Sequence, residues 1–141
     1  MEMNLVELIG GIEPATTYMA DAIRNGKHVV TANKAALAEN GKMLQELASE
    51  KGVMLRFEAS VGGGIPIINA LTSALLSNDF TEILGIVNGT TNYMLTRIGE
   101  GLSYAEALAE AQEKGFAEAD PTADVDGYDA AAKIAILASI A

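Results

Sequence analysis

The side chains best suited to chemistry lie in one run. It reads Glu118-Ala119-Asp120-Pro121-Thr122-Ala123-Asp124-Val125-Asp126-Gly127-Tyr128-Asp129 and is followed by Lys133. Two kinds of chemistry use residues spaced in this way. A calcium loop needs oxygen ligands at alternating positions, then a glycine, then a bidentate glutamate. Asp124, Asp126 and Gly127 suit such a loop, but Thr122 stands at the first ligand position and Lys133 at the last. A lysine cannot be a bidentate ligand, so calcium is excluded. The alternative places Asp129 and Lys133 one helical turn apart on a shared face. On an exposed helix such a pair only aids solubility. The flanking Ala130-Ala131-Ala132 and Ile134-Ala135-Ile136-Leu137 are apolar, which predicts a helix packed on most sides. A lysine held there among carboxylates is costly to bury unpaired. It is then a candidate acid/base group, because burial lowers its pKa and carboxylates raise it. The carboxylates could also receive a substrate ammonium group.

Other candidates are less specific. Lys34 opens a helix just after a strand, at the edge of a parallel sheet where ligands bind. A single lysine there is more often a surface residue. Gly62-Gly63-Gly64 does not match the dinucleotide fingerprint, because Ile67 stands where the third glycine belongs. A hinge between subdomains accounts for the tract as well as a close backbone approach to a cofactor or ion does. Gly10-Gly11 fails the fingerprint too, and no phosphate-binding P-loop is present. His28 reads as structural, and the six methionines are scattered as core filler.

The elements that must position these groups follow from periodicity and punctuation. Leu5 to Ile9 reads as a short strand stopping at Gly10-Gly11, and Pro14 opens a helix that runs to about Asn25-Gly26. His28 to Thr31 is a second strand. Asn33 could cap a helix from Lys34 to about Glu39, and another covers about Lys42 to Glu50. Val53 to Phe57 is a third strand. This alternation predicts a parallel α/β sheet whose apolar strands are buried on both faces. After Glu58 the texture changes to the glycine-rich junction. There follow a helix from about Pro66 to Leu76, a strand from Thr81 to Val87, and a helix from Thr90 to Ile98. Ser103 with Glu106 is a capping box for the next helix. An acidic loop from Gly115 to Asp126 leads to a last helix running to Ala141. The expected fold is a partial Rossmann-like parallel sheet over residues 1–61, followed by part of an α+β catalytic domain over 62–141. Both ends look cut, so a fragment of a longer chain is expected.

Composition narrows the functional classes. The 141 residues carry a formal charge of −10 with no basic stripe, which disfavours nucleic acid. Half the residues are hydrophobic, as in a globular chain. No cysteine is present, which removes disulfides, thiolate zinc sites and a cysteine nucleophile. No run is long and apolar enough to span a bilayer and no signal peptide is visible, so a soluble, cytoplasmic protein is the expectation.

Four blocks, in order, resemble homoserine dehydrogenases across essentially the whole chain. They are Glu7-Leu8-Ile9-Gly10-Gly11; Val30-Thr31-Ala32-Asn33-Lys34; Glu58-Ala59-Ser60-Val61-Gly62-Gly63-Gly64-Ile65-Pro66-Ile67; and Gly115-Phe116-Ala117-Glu118-Ala119-Asp120-Pro121 through Asp129 to Lys133. The last is highly specific and the first alone is weak. The resemblance implies interconversion of L-aspartate 4-semialdehyde and L-homoserine with NAD(P)H, on the route to threonine, methionine and isoleucine. It implies that Lys133 donates the proton to the aldehyde oxygen, with Lys34 beside the nicotinamide as the second candidate. Glu118, Asp124 and Asp129 would hold the substrate and Lys133, and Thr31 and Gly10 would line the cofactor edge. Glu58 with the carbonyls of Val61, Gly63 and Ile65 would ring a sodium ion. A homodimer is the family expectation. Ala119 departs from the proline often found in relatives, which alters loop stiffness more than chemistry. The pyrophosphate fingerprint and the residue selecting NAD or NADP are not among the 141 residues, so the chain by itself is expected to be inactive. Competing readings are another two-domain NAD(P)-dependent oxidoreductase acting on an amino acid or semialdehyde, and a non-catalytic ligand-binding or assembly module.

Overall fold

Apolar runs separated by helices form strands that pair in parallel. A computed structural model describes residues 4–141, with β1 (Leu5–Glu7), β2 (Val29–Thr31) and β3 (Leu55–Arg56) in the order β1-β2-β3. Register sets Leu5, Val29 and Leu55 side by side and places Glu7 against Thr31. The connections are α1 (Ala15–Arg24) and α2 (Lys34–Lys51). Met19 and Ile23 of α1 and Leu44 of α2 pack with Val29 and are fully buried. Burying each such side chain contributes about 1.5–3 kcal/mol, so packing rather than propensity holds these helices. His28 is structural, as expected: its Nδ1 accepts from the Met54 N–H at 2.9 Å, joining β2 to the approach of β3.

Two expectations about this region need correction. The strands are covered on one face only: Glu7, Val29 and Thr31 are buried, while Val6 and Val30 are 63% and 44% exposed. Apolar sequence on both sides of the pleat does not by itself bring a covering element to both sides. The two helices expected around Asn40-Gly41 are one continuous helix, α2. Glycine weakens a helix interior by roughly 1 kcal/mol, less than the burial of Leu37, Leu44 and Ala48 on either side of it recovers.

The chain divides into two compact units. One comprises residues up to Ile83 together with Ala132–Ala141, and the other is Leu84–Ala131. Beyond the sheet, the first unit holds a second apolar cluster of Leu37, Phe57, Val61, Ile68, Ile136 and Leu137. Ile68 comes from α3 (Ile67–Asn69), which widens into a π-helical turn over Ala70–Ala74. The expected regular helix over this stretch is therefore irregular; the Thr72 hydroxyl folds back onto the Ile68 carbonyl at 2.8 Å and disturbs the ladder.

The second unit is helical. It contains α4 (Gly89–Gly99), α5 (Tyr104–Glu113), the short α6 (Thr122–Val125) within the acidic loop, and the start of α7 (Tyr128–Ile140). Met94, Ala107, Ala111 and Ala117 form its core. Ser103 and Glu106 make the expected capping box at α5. Segment 81–87, expected as a strand, has no partner strand among the described residues, and Leu84 and Ile86 are exposed. An apolar segment makes a strand only when a neighbour takes its N–H and C=O groups. Among the described residues no helix is long and apolar enough to cross a membrane.

Candidate active site

The carboxyl ends of β1 and β2 form one polar cluster in the first unit. Glu7, the last residue of β1, is buried. Its carboxylate accepts from the Thr31 hydroxyl at 2.6 Å, from the Ile9 N–H at 2.8 Å and from the Asn33 amide at 3.4 Å. Burial alone would raise its pKa, but these donors and the Gly10 N–H outweigh that and hold the carboxyl below its ordinary value. Asn33 ties three segments together. Its amide donates to the Gly11 carbonyl at 2.7 Å, its N–H donates to the Thr31 hydroxyl, and its side-chain oxygen caps α2 by accepting from the Ala36 N–H. Lys34 is the first residue of α2 and half-buried. Gly10 lies on the same edge at φ +83°, and a Cβ there would meet no atom within 4 Å. The structure thus brings Gly10, Thr31 and Lys34 to one strand edge.

The glycine-rich turn is a separate part of this unit. The Glu58 carboxylate accepts from the Ile68 and Asn69 N–H groups at 3.0 and 2.9 Å, capping α3. The Ile65 N–H donates to the Gly62 carbonyl and the Ile67 N–H to the Ile65 carbonyl. Gly62 has φ +81°, and a Cβ would stand 3.3 Å from the Ile65 oxygen, so the tight turn requires glycine here. Among the described residues no group of three or more His, Cys, Asp or Glu side chains is placed to hold a metal. Lys133 is half-buried on α7, one turn beyond Asp129. The helix is not packed on most sides: Ile136 and Leu137 are buried but Ala131, Ala135, Ala138 and Ser139 are exposed. A cavity of about 480 Å³ in this unit, lined by Leu37, Phe57, Ile136 and Ile140, includes none of the residues singled out by sequence.

In the second unit the acidic run is organised by a residue outside it. The Asn88 side-chain amide donates to Asp124 at 2.7 Å and to Asp129 at 2.9 Å, while its oxygen accepts from the Thr91 N–H and hydroxyl at 2.8 Å. Asn88 and Asp129 are both buried. The Thr90 hydroxyl lies 2.5 Å from the Phe116 carbonyl and 3.0 Å from Asp124, so its single proton serves one of them at a time. Glu118 is exposed, and its carbonyl accepts from Gln112 at 3.0 Å. Asp120 accepts from the Thr122 hydroxyl and N–H at the start of α6, which holds its pKa below the ordinary value. The unit is stiffened by Glu110. Lys114, Arg97 and Tyr93 all hydrogen-bond its carboxylate and depress its pKa to about 2.

Two family profiles cover the chain in succession. Residues 4–58 match the homoserine dehydrogenase NAD-binding domain, and residues 66–141 match homoserine dehydrogenase. The chain belongs to the homoserine dehydrogenase family. It is 55% identical to the homoserine dehydrogenase of Synechocystis over 96% of its own length and 32% of the relative's. The Bacillus subtilis homoserine dehydrogenase is 54% identical over the same shares. The chain thus spans about a third of the length of these relatives. A crystal structure of the homoserine dehydrogenase from Thiobacillus denitrificans superposes with a TM-score of 0.91 at 51% identity, covering 95% of this chain and 31% of that one. A hyperthermophilic archaeal homoserine dehydrogenase solved with NADPH superposes at 0.87 with 34% identity, covering 94% and 42%. The sequence resemblance and the Rossmann-like α/β class are borne out.

Sequence reading does not single out Glu7, Asn88 or Thr90. A signal existed for Glu7, an acid inside an apolar strand just before Gly10-Gly11. Asn88 announces only half its role, because Asn-Gly ahead of a helix marks a cap, while its bonds to Asp124 and Asp129 span 36 and 41 residues.

Proposed function

We propose that this chain supplies part of an NAD(P)-dependent oxidoreductase interconverting L-aspartate 4-semialdehyde and L-homoserine, on the route to threonine, methionine and isoleucine. The observation carrying this reading is the succession of the two family matches, with Glu118, Asp124, Asp129 and Lys133 all inside the second. The reaction is addition of hydride and a proton to an aldehyde, or their removal from the alcohol. The bound nicotinamide supplies or accepts the hydride. This chain's own residues do the rest. Lys133, as an ammonium, protonates the aldehyde oxygen and, as an amine, takes the proton in the reverse direction. Asp124 and Asp129, with Glu118, receive the substrate ammonium. Lys34 is the second candidate for the proton.

The open loop edge at Gly10, beside Thr31 and Lys34, fits a flat nicotinamide ring at the carboxyl end of the strands. The division into residues 1–61 for cofactor and 62–141 for substrate belongs to the same reading. So does sodium on the carbonyls of Glu58, Val61, Gly63 and Ile65, which the glycine turn leaves near one another in sequence and free of side-chain bulk. A homodimer in the cytoplasm completes it, supported by the exposed apolar residues of β1 and β2, Val6 and Val30.

The test is NAD(P)H formation from L-homoserine by the complete polypeptide carrying these 141 residues, beside its Lys133→Ala variant. The expected outcome is activity in the first and a loss of about 10²–10⁴-fold in the second. Activity that survives the substitution moves the proton-transfer role to Lys34. A folded but inactive polypeptide turns the assignment to another NAD(P)-dependent oxidoreductase or to a binding module.

A further inference from the structure

We infer that Asn88 is a positioning residue for the substrate carboxylates: its amide clamps Asp124 and Asp129 together, a role separate from its capping of α4. The inference rests on the proposed substrate site for its catalytic consequence, but the clamp itself stands on geometry. The two N–H bonds of one amide go to two different carboxylates, at 2.7 and 2.9 Å, with Asn88 and Asp129 buried and Asp124 half-buried. The amide oxygen, meanwhile, accepts from the Thr91 N–H and hydroxyl, both at 2.8 Å. One side chain therefore does two jobs with opposite ends. The oxygen begins α4, and the nitrogen sets how far apart the two carboxylates stand.

The arrangement has a chemical reason. Two carboxylates brought close repel one another, and donors placed between them offset that repulsion. An amide is suited to this because its two N–H groups diverge in one plane and carry no charge of their own. A lysine or arginine in its place would neutralise the pair and compete with a substrate ammonium. Asn88 holds the acids without cancelling them. Thr90 adds a hydroxyl to Asp124 from the adjoining turn, so the α4 N-terminus and the carboxylate pair are built from one segment.

The two jobs can be separated by Asn88→Asp. Aspartate caps a helix about as well as asparagine, and its charge is favoured at a helix N-terminus, so the start of α4 is retained. Both donors are lost, and a third carboxylate faces the first two. In the complete polypeptide, KM for L-homoserine should rise about 10- to 100-fold while KM for the nicotinamide cofactor stays unchanged, the scale expected of misplaced binding groups. The variant should also melt below the wild type. The double variant N88D/D124N restores one of the two donor–acceptor pairs and the original charge count, and should recover part of the lost melting temperature whatever its activity. A silent Asn88→Asp, with KM and melting both unchanged, would show that the residue is only a cap and would overturn the inference. Melting that the second substitution fails to restore even in part would overturn it as well. Restored melting in a protein whose wild type does not act on homoserine would instead remove the functional reading and leave the clamp standing.

Discussion

In the unit that carries the sheet, one buried carboxylate gathers donors from three segments; in the helical unit, one amide serves two carboxylates. Glu7 receives the Thr31 hydroxyl, the Ile9 N–H and the Asn33 amide, and Asn33 in turn fastens Gly11 and the start of α2. Asp124 and Asp129 share the two N–H bonds of Asn88. A carboxylate surrounded by donors is an anchor, because its charge is answered and it fixes the backbone that answers it. Two carboxylates on one neutral amide are rich in acceptors and suit a cationic ligand. All three are acids in the sequence, yet Glu7 ties strand ends together while Asp124 and Asp129 are the pair that the proposed function gives to a substrate ammonium.

The widest separation between the two regions should appear on removing one charge from the helical unit. Asp129→Asn preserves shape and still accepts from Asn88. In the complete polypeptide it should lower kcat/KM for L-homoserine about 100-fold or more, a far larger effect than its change in unfolding free energy. Steady-state kinetics with denaturant unfolding of the same sample check both halves. An Asp129→Asn protein that is markedly unstable yet fully active would dissolve the distinction.

The matching experiment in the sheet should have the opposite signature. Glu7→Leu leaves the Thr31 hydroxyl, the Asn33 amide and the Ile9 N–H without their acceptor, at a cost of about 2–3 kcal/mol. Glu7→Gln keeps an acceptor oxygen and should lose about 1 kcal/mol. The folded-state pKa of Glu7 is depressed, so its contribution is fully present above the unfolded value of 4.5 and fades as pH falls through the lower, folded value. The stability gap between wild type and Glu7→Gln should therefore be widest above pH 4.5 and narrow in acid. Denaturant midpoints across that range measure it, and a gap that widens in acid would contradict the depressed value.

How much of this was legible in sequence depended on range. Signals acting within one turn were readable: Asn33 as a cap and Ser103 with Glu106 as a box. Lys34 was legible at a strand's carboxyl edge, where ligands bind in parallel sheets, whereas Thr31 and Gly10 came to that edge only through the family resemblance. Burial was less legible. The apolar strands gave no sign that Val6 and Val30 would be exposed, and the apolar α7 none that Ala131 and Ala135 would be. Least legible were bonds joining distant segments, such as Glu7 to Thr31 and Asn88 to Asp129. Each of those residues has an adequate local explanation that hides the long-range one.

The smallest expected effect probes the scaffold under the anchor rather than the anchor itself. Gly41 lies inside α2, where Asn40-Gly41 resembles a stop, yet the helix runs on from Lys34 to Lys51. A Cβ there would meet Leu37 Cβ at 3.8 Å and Leu37 Cδ2 at 3.9 Å, which are ordinary contacts, and the backbone needs no positive φ. Nothing in the folded state opposes a methyl group, and alanine loses less backbone entropy than glycine on entering a helix. Gly41→Ala should therefore stabilise the protein by about 0.4–1 kcal/mol, read as a higher denaturant midpoint with unchanged slope. Because α2 begins at Lys34 behind the Asn33 cap, the same variant asks whether firming the helix body disturbs the end that the proposed function places at the cofactor. Unchanged cofactor KM would show that Glu7 and Asn33 fix that end on their own. Destabilisation would mean that the helix needs a glycine at this position, and that the Asn40-Gly41 signal had been structural after all.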